Sequence, residues 1–202
     1  IYNIETIEIL NNKNTEIFGS EEREVFILGS GTNELHVSNG HDEILLGAGS
    51  DTIQLNVNLS EPAKIINFRT GVNGDKIDFS VLNPSSSEDY EIIVVNTKIG
   101  GKKLLTSENH FVIFETPFGY SNDIELITEI NSINGISFIN PQSNNSFVGL
   151  WFNNSENNFT ASYISKTNAN LNSFDEVTPL LFLEGVNANQ SGEFTSDNFI
   201  LV

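Results

Sequence analysis

Three nine-residue units run back to back without a gap: Leu28–His36, Val37–Leu45 and Leu46–Gln54. Aligned, they share glycine at the fourth place (Gly31, Gly40, Gly49), a carboxamide or carboxylate at the sixth (Asn33, Asp42, Asp51) and an aliphatic residue at the eighth (Leu35, Ile44, Ile53). Units one and three also carry glycine at the second place (Gly29, Gly47). Each type has a distinct chemical use. Glycine lets a tight loop bring its carbonyls close together. The sixth-place side chain supplies a hard oxygen, and calcium collects six to eight oxygens at roughly 2.3–2.6 Å. The chemistry indicated is calcium ligation at the corners of a coil, with Gly29, Gly31, Asn33, Gly40, Asp42, Gly47, Gly49 and Asp51 as candidate site residues.

The elements that must position these loops follow from the eighth place. Its aliphatic residue belongs to a short strand and points into the coil, where it is covered by its counterparts above and below. The inward line starts before the glycines do, since Ile17 and Phe26 precede Leu35 at the same nine-residue step. Segment 19–27 keeps the apolar place but has Glu22 and Glu24 where glycine and the ligand should stand, so it is expected to stack without a good metal loop. After Gln54 the pattern stops, and Pro62 interrupts any regular ladder. Residues 83–89 form a polar loop.

From about residue 90 the texture changes to longer β runs: 91–97, 111–115, 147–152, 160–165 and 180–183, with a hairpin loop over 153–158. One helix is expected near 121–131, capped by Ser121, with Ile124, Ile127 and Ile130 recurring and Gly135 beyond its end. The fold class expected is mainly β. A short coil of stacked nine-residue turns with the segment that follows it spans 1–82. A β-rich C-terminal domain with about one helix spans 90–202 and packs on that coil.

The chain has 202 residues, 27 acids against 9 bases and a formal net charge of −18. That sign excludes nucleic acid as a partner, and such self-repulsion opposes compaction unless cations screen or ligate it. Cysteine is absent, so neither disulfides nor thiolate metal sites exist. No apolar run is long enough to span a membrane. The first residue is Ile1 rather than Met, which suggests a fragment or processed product. The three histidines (His36, His41, His110) lack zinc spacing, and neither a nucleophile elbow nor a phosphate loop is present. Trp151, Phe152, Phe159 and Tyr163 would suit either a core or a sugar-stacking platform.

The repeats resemble the calcium-binding nonapeptide of the RTX (repeats-in-toxin) family, Gly-Gly-x-Gly-x-Asp-x-aliphatic-x. The departures are Asn33 for aspartate, Ser38 and Asn39 in the middle unit, and Ala48 in the third. The resemblance implies that 1–82 is a short calcium-binding parallel β-roll with its closing segment, two nonapeptides making one turn. Loop 29–33 then lies over loop 47–51 as one site, while loop 38–42 faces the opposite edge as a weaker or absent one. Residues 65–68 and 74–80 resemble the segment that closes many such rolls, which makes Asp75 and Asp78 further ligand candidates. Residues 111–202 resemble, more loosely, the C-terminal region of type I-secreted S-layer proteins and adhesins. The implied partners are Ca2+, the type I secretion machinery and either further copies of the chain in a lattice or a cell-surface glycan. The implied location is secreted, extracellular or cell-surface, with 194–202 part of a secretion signal. Two roles follow: a non-enzymatic structural module, or a glycan-binding accessory module of a secreted enzyme.

Overall fold

A computed structural model describes residues 4–10, 12–56, 61–82, 91–95, 103–105, 110–115, 119–132, 136–138, 146–166 and 173–200. The chain divides into two units. The first comprises 1–87, 180–186 and 193–202; the second comprises 88–179 and 187–192.

In the first unit, alternate strands go to two parallel sheets, as a nine-residue half-turn demands. One sheet contains β1 (Glu5–Ile9), β3 (Glu24–Leu28), β5 (Glu43–Leu45), β7 (Ala63–Ile66) and the second half of β15 (Glu176–Glu184), in that order. The other contains β2 (Glu16–Phe18), β4 (Glu34–His36), β6 (Thr52–Gln54), β8 (Lys76–Asp78) and β16 (Phe199–Ile200). The register sets Ile7, Phe26, Ile44, Ile65 and Leu183 in one apolar column. Ile17, Leu35, Ile53, Ile77 and Phe199 form the facing column. Phe26, Leu35, Ile44, Ile53, Ile65 and Ile77 have no exposed surface, which identifies the eighth place as the inward one.

The first place of each unit is buried too. Leu28, Val37, Leu46 and Leu55 form a second nine-residue series that extends the core beyond the strand ends. Their backbone continues the ladder, with Val37 N–H donating to Gln54 O at 2.9 Å and Leu55 N–H to Asp78 O at 3.2 Å.

The last coil comes from far along the chain. Leu181–Glu184 pair with Ala63–Ile66, and Phe199–Ile200 pair with Ile77–Asp78. Phe68, Phe194, Phe199 and Phe79 stack around this end with ring centroids 5.8–6.4 Å apart. Residues 180–186 and 193–200 therefore belong to the roll, and the second body is not the whole of 90–202.

The second unit contains β9 (Glu91–Val95), β11 (His110–Phe114), β13 (Phe147–Asn153) and β14 (Asn158–Ser165) as neighbours in a sheet. The first three are parallel and β13–β14 is an antiparallel hairpin. A parallel pair, β10 (Lys103–Leu105) and β12 (Ile136–Phe138), accompanies it. The expected helix is α1 (Asp123–Ile130), but Asn122 caps it, its Oδ1 accepting from Glu125 N–H at 2.9 Å. Its buried face is Leu126 and Ile130, while Ile124 is 77 % exposed. Gly135, loop 83–89 and strand residues 96–97 lie outside the described residues. Trp151, Phe152 and Phe159 are buried, and Trp151 Nε1–H donates to Ser162 Oγ at 3.0 Å. These rings are core rather than a platform; Tyr163 alone of the four is exposed. Among the described residues no helix is long and apolar enough to cross a membrane.

Candidate metal centre

The loops joining the two sheets stack on two edges, and the stacking is tight enough to dictate residue type. A Cβ on Gly47 would lie 1.8 Å from Gly29 O, and one on Gly49 would lie 1.7 Å from Gly31 O. A Cβ on Gly31 would meet Lys13 O at 2.1 Å. Loop 29–33 thus lies directly under loop 47–51. On the other edge a Cβ on Gly40 would reach Glu22 O at 2.3 Å, placing loop 38–42 against segment 20–24. Gly40 also has φ +131°, a conformation side chains resist. Gly31, Gly47 and Gly49 are not in that region, so their requirement is room for the neighbouring carbonyl.

The sixth-place side chains form a ladder running back along the roll. Asp51 Oδ1 accepts Asn33 N–H at 3.0 Å. Asp42 Oδ1 accepts Glu24 N–H at 2.9 Å. Asp75 Oδ1 accepts Asp51 N–H at 3.0 Å. Each side chain therefore ties its loop to the preceding coil with one oxygen. The second oxygen distinguishes the sites. Asp42 Oδ2, Asp51 Oδ2 and Asn33 Oδ1 are buried and accept no hydrogen bond. All three residues are at most 1 % exposed.

Two carboxylates meet at the loop 38–42 edge. Glu24, itself buried, takes Ser20 N–H on both carboxylate oxygens at 3.0 Å and the Ser20 hydroxyl on Oε1. Burial pushes the Asp42 carboxyl up to about 7, and Glu24's charge adds to the rise against the pull of the Glu24 N–H. At the Asn33–Asp51 interval the carboxamide softens the charge. Asn33 Nδ2–H donates to Asp51 Oδ1 at 2.8 Å and to Gly31 O at 3.0 Å.

The two later candidates differ. Asp75 has no oxygen left over: Oδ2 accepts Arg69 N–H at 2.7 Å and Oδ1 also receives Arg69 Nη2 at 3.0 Å. Burial raises its pKa, opposed by the N–H groups of Asp51 and Arg69 and by the guanidinium. Asp78 stands across strand β8 from Asp75, about 10 Å along the chain at strand spacing. Its Oδ1 accepts Ser80 N–H at 2.8 Å and opens the 3-10 turn Ser80–Leu82. The structure does not bring it to the loops.

Arg69 and Asn198 are the site residues that sequence reasoning missed. Asn198 is fully buried; its Oδ1 accepts Gly71 N–H and Thr195 N–H, and its Nδ2 donates to Asp75 O at 2.8 Å. No periodic signal marks either residue, because both act in the insertion that follows the repeats.

Among the described residues no three His, Cys, Asp or Glu side chains converge on one point. A hard cation here would take one or two side-chain oxygens per interval, with loop carbonyls making up the rest. The donor set fits calcium on that footing: buried oxygens, two of them carboxylate, each lacking a donor. No family model, curated protein or solved structure matches the chain.

The buried Asp42 gives a pH signature. A carboxyl held above its ordinary 3.8 in the folded state favours the protonated form there. Its contribution to stability is whole below about pH 4 and is lost as pH rises through about 7. In chelator, thermal unfolding is expected at a higher temperature at pH 5 than at pH 8, and Asp42→Asn should flatten that difference. Equal slopes in both proteins would show that Asp42 does not carry it.

Proposed function

We propose that the chain is a non-enzymatic, calcium-dependent structural module of a type I-secreted bacterial surface protein of the RTX kind, S-layer subunit or adhesin, folding when it meets calcium outside the cell. One observation carries the reading. The sixth-place residues of all three repeats, Asn33, Asp42 and Asp51, each keep one buried oxygen without a donor. Leaving a buried acceptor unmatched costs about 1–3 kcal/mol and more for a charged group, and a bound cation removes that cost.

The mechanism is linkage. Stacked loops exist only in the folded roll, so calcium binds the folded form and stabilises it by RT ln(1 + [Ca]/Kd) per site. Extracellular modules hold calcium with Kd of roughly 10⁻⁴–10⁻³ M. A cytosol poor in calcium leaves the acidic chain open for threading through a secretion channel; millimolar calcium outside closes it. Lattice contacts with further copies, or a surface glycan, are the partners proposed.

A calcium titration of chelated protein, followed by far-UV circular dichroism and calorimetry, tests this. The expected result is a cooperative gain of β signal between about 0.1 and 10 mM, the range of extracellular sites. A protein whose folding and midpoint ignore calcium would overturn the reading.

A further inference from the structure

Among the described residues, loops 29–33, 47–51 and 69–75 stack in turn on the edge that carries Asp51, and the second interval is built differently from the first. Between loops 29–33 and 47–51, two buried oxygens lack donors. Between loops 47–51 and 69–75, both carboxylate oxygens of Asp75 are taken. What takes them is Arg69. One arm of its guanidinium reaches Asp75 Oδ1 at 3.0 Å, and the other donates to Ala48 O at 2.9 Å. A single positive charge thus bridges a carboxylate of the last loop and a carbonyl of the loop before it, which is the pair of ligand types a calcium ion would bridge.

We propose that Arg69 is the resident cation of this interval, so that loop 69–75 closes without metal and blocks the calcium site its position would otherwise form. The inference rests on the calcium reading only for the comparison with the earlier turns. Three features support it. The guanidinium is charged at every relevant pH and its planar fork can hold two acceptors at once, unlike the point charge of lysine. The register lengthens here, since Ile53 pairs with Ile77 whereas Leu35 pairs with Ile53, giving the loop the extra residues from which Arg69 reaches back. The loop is also held independently of any ion: Asp75 N–H donates to Arg69 O at 2.8 Å, Ser50 Oγ to Gly74 O at 2.6 Å, and Asn198 grips Gly71 and Asp75. One end of the roll is therefore built to stand in chelator while the loops before it wait for calcium.

The test compares the full chain with Arg69→Ala, Arg69→Lys and the double variant Arg69→Ala/Asp75→Asn. Calcium ions are counted by native mass spectrometry, and thermal midpoints are taken in chelator and in 10 mM calcium. The expected result is that Arg69→Ala loses midpoint in chelator, binds one ion more than the wild type, and recovers most of the loss in calcium. Arg69→Lys should gain no ion, and the double variant should lose the extra one. An Arg69→Ala protein with the wild-type ion count, or one that calcium fails to restore or to fold, overturns the inference. The two readings fail separately. A wild type with no ions sinks the calcium reading for loops 29–51, yet an ion gained by Arg69→Ala would still support Arg69 as the cation it replaces.

Discussion

Gly49→Ala is expected to unfold the roll, with calcium unable to rescue it. The new methyl carbon would sit 1.7 Å from Gly31 O and 2.4 Å from its carbonyl carbon. Both are backbone atoms, so no side chain can swing aside. Relief requires lifting loop 47–51 off loop 29–33, which breaks the Thr52 N–H to Asn33 O bond of 2.8 Å and the Asn33 N–H to Asp51 Oδ1 bond of 3.0 Å. Overpacking a tight site costs about 1–3 kcal/mol and at times more; with the lost bonds added, the expected loss is at least ~3 kcal/mol. Denaturant unfolding followed by circular dichroism, in chelator and in 10 mM calcium, measures it. Gly192→Ala is the control, because its Cβ would meet a side-chain oxygen of Glu115 at an ordinary 3.5 Å. Equal stability of the two variants would mean the coils do not stack as closely as described.

Asn33→Asp is expected to lose stability in chelator and to recover part of that loss in calcium. In chelator the substitution removes two donations, to Asp51 Oδ1 and to Gly31 O, and sets a carboxylate against the buried Asp51. Uncompensated buried charge of this kind costs on the order of 3–5 kcal/mol. In calcium the same carboxylate adds ligand charge, which is how oxygen sites tune affinity. We expect tighter binding by about tenfold, equivalent to ~1.4 kcal/mol. Midpoints with and without calcium, together with a titration, check both halves. An equal loss in both conditions would place the ion elsewhere.

The roll was legible because its cause is periodic. Nine residues make half a coil, so the phase of Leu35, Ile44 and Ile53 is enough to name the inward column and to place Asn33, Asp42 and Asp51 at the corners. The same phase held a second column, Leu28, Val37, Leu46 and Leu55, that a search for ligands passes over. Features outside the period were opaque. The three-residue spacing of Asp75 and Asp78 looks like a ligand pair, yet a strand lies between them and separates their roles. Edge strength was also hidden, since Glu24 looks like a failed ligand place until it is found buried beside Asp42. For α1, equal spacing of isoleucines pointed to a face that the structure leaves partly in solvent, because Leu126 and Ile130, four apart, turn inward instead. Arg69 and Asn198 meet only through tertiary closure, and no local pattern encodes such a meeting.

That closure has a consequence in time. Asn198 and Asp75 touch across 123 residues of chain, and β16 pairs with β8 over a similar span. Contacts so distant in sequence form late, because loop closure must precede any reward from pairing. A ribosome delivers residues 180–200 long after Asp75 and β8, and until then the roll lacks its final rung and its aromatic seal. The chain's own order of assembly thus delays completion of the roll until a segment more than a hundred residues downstream of β8 has been made.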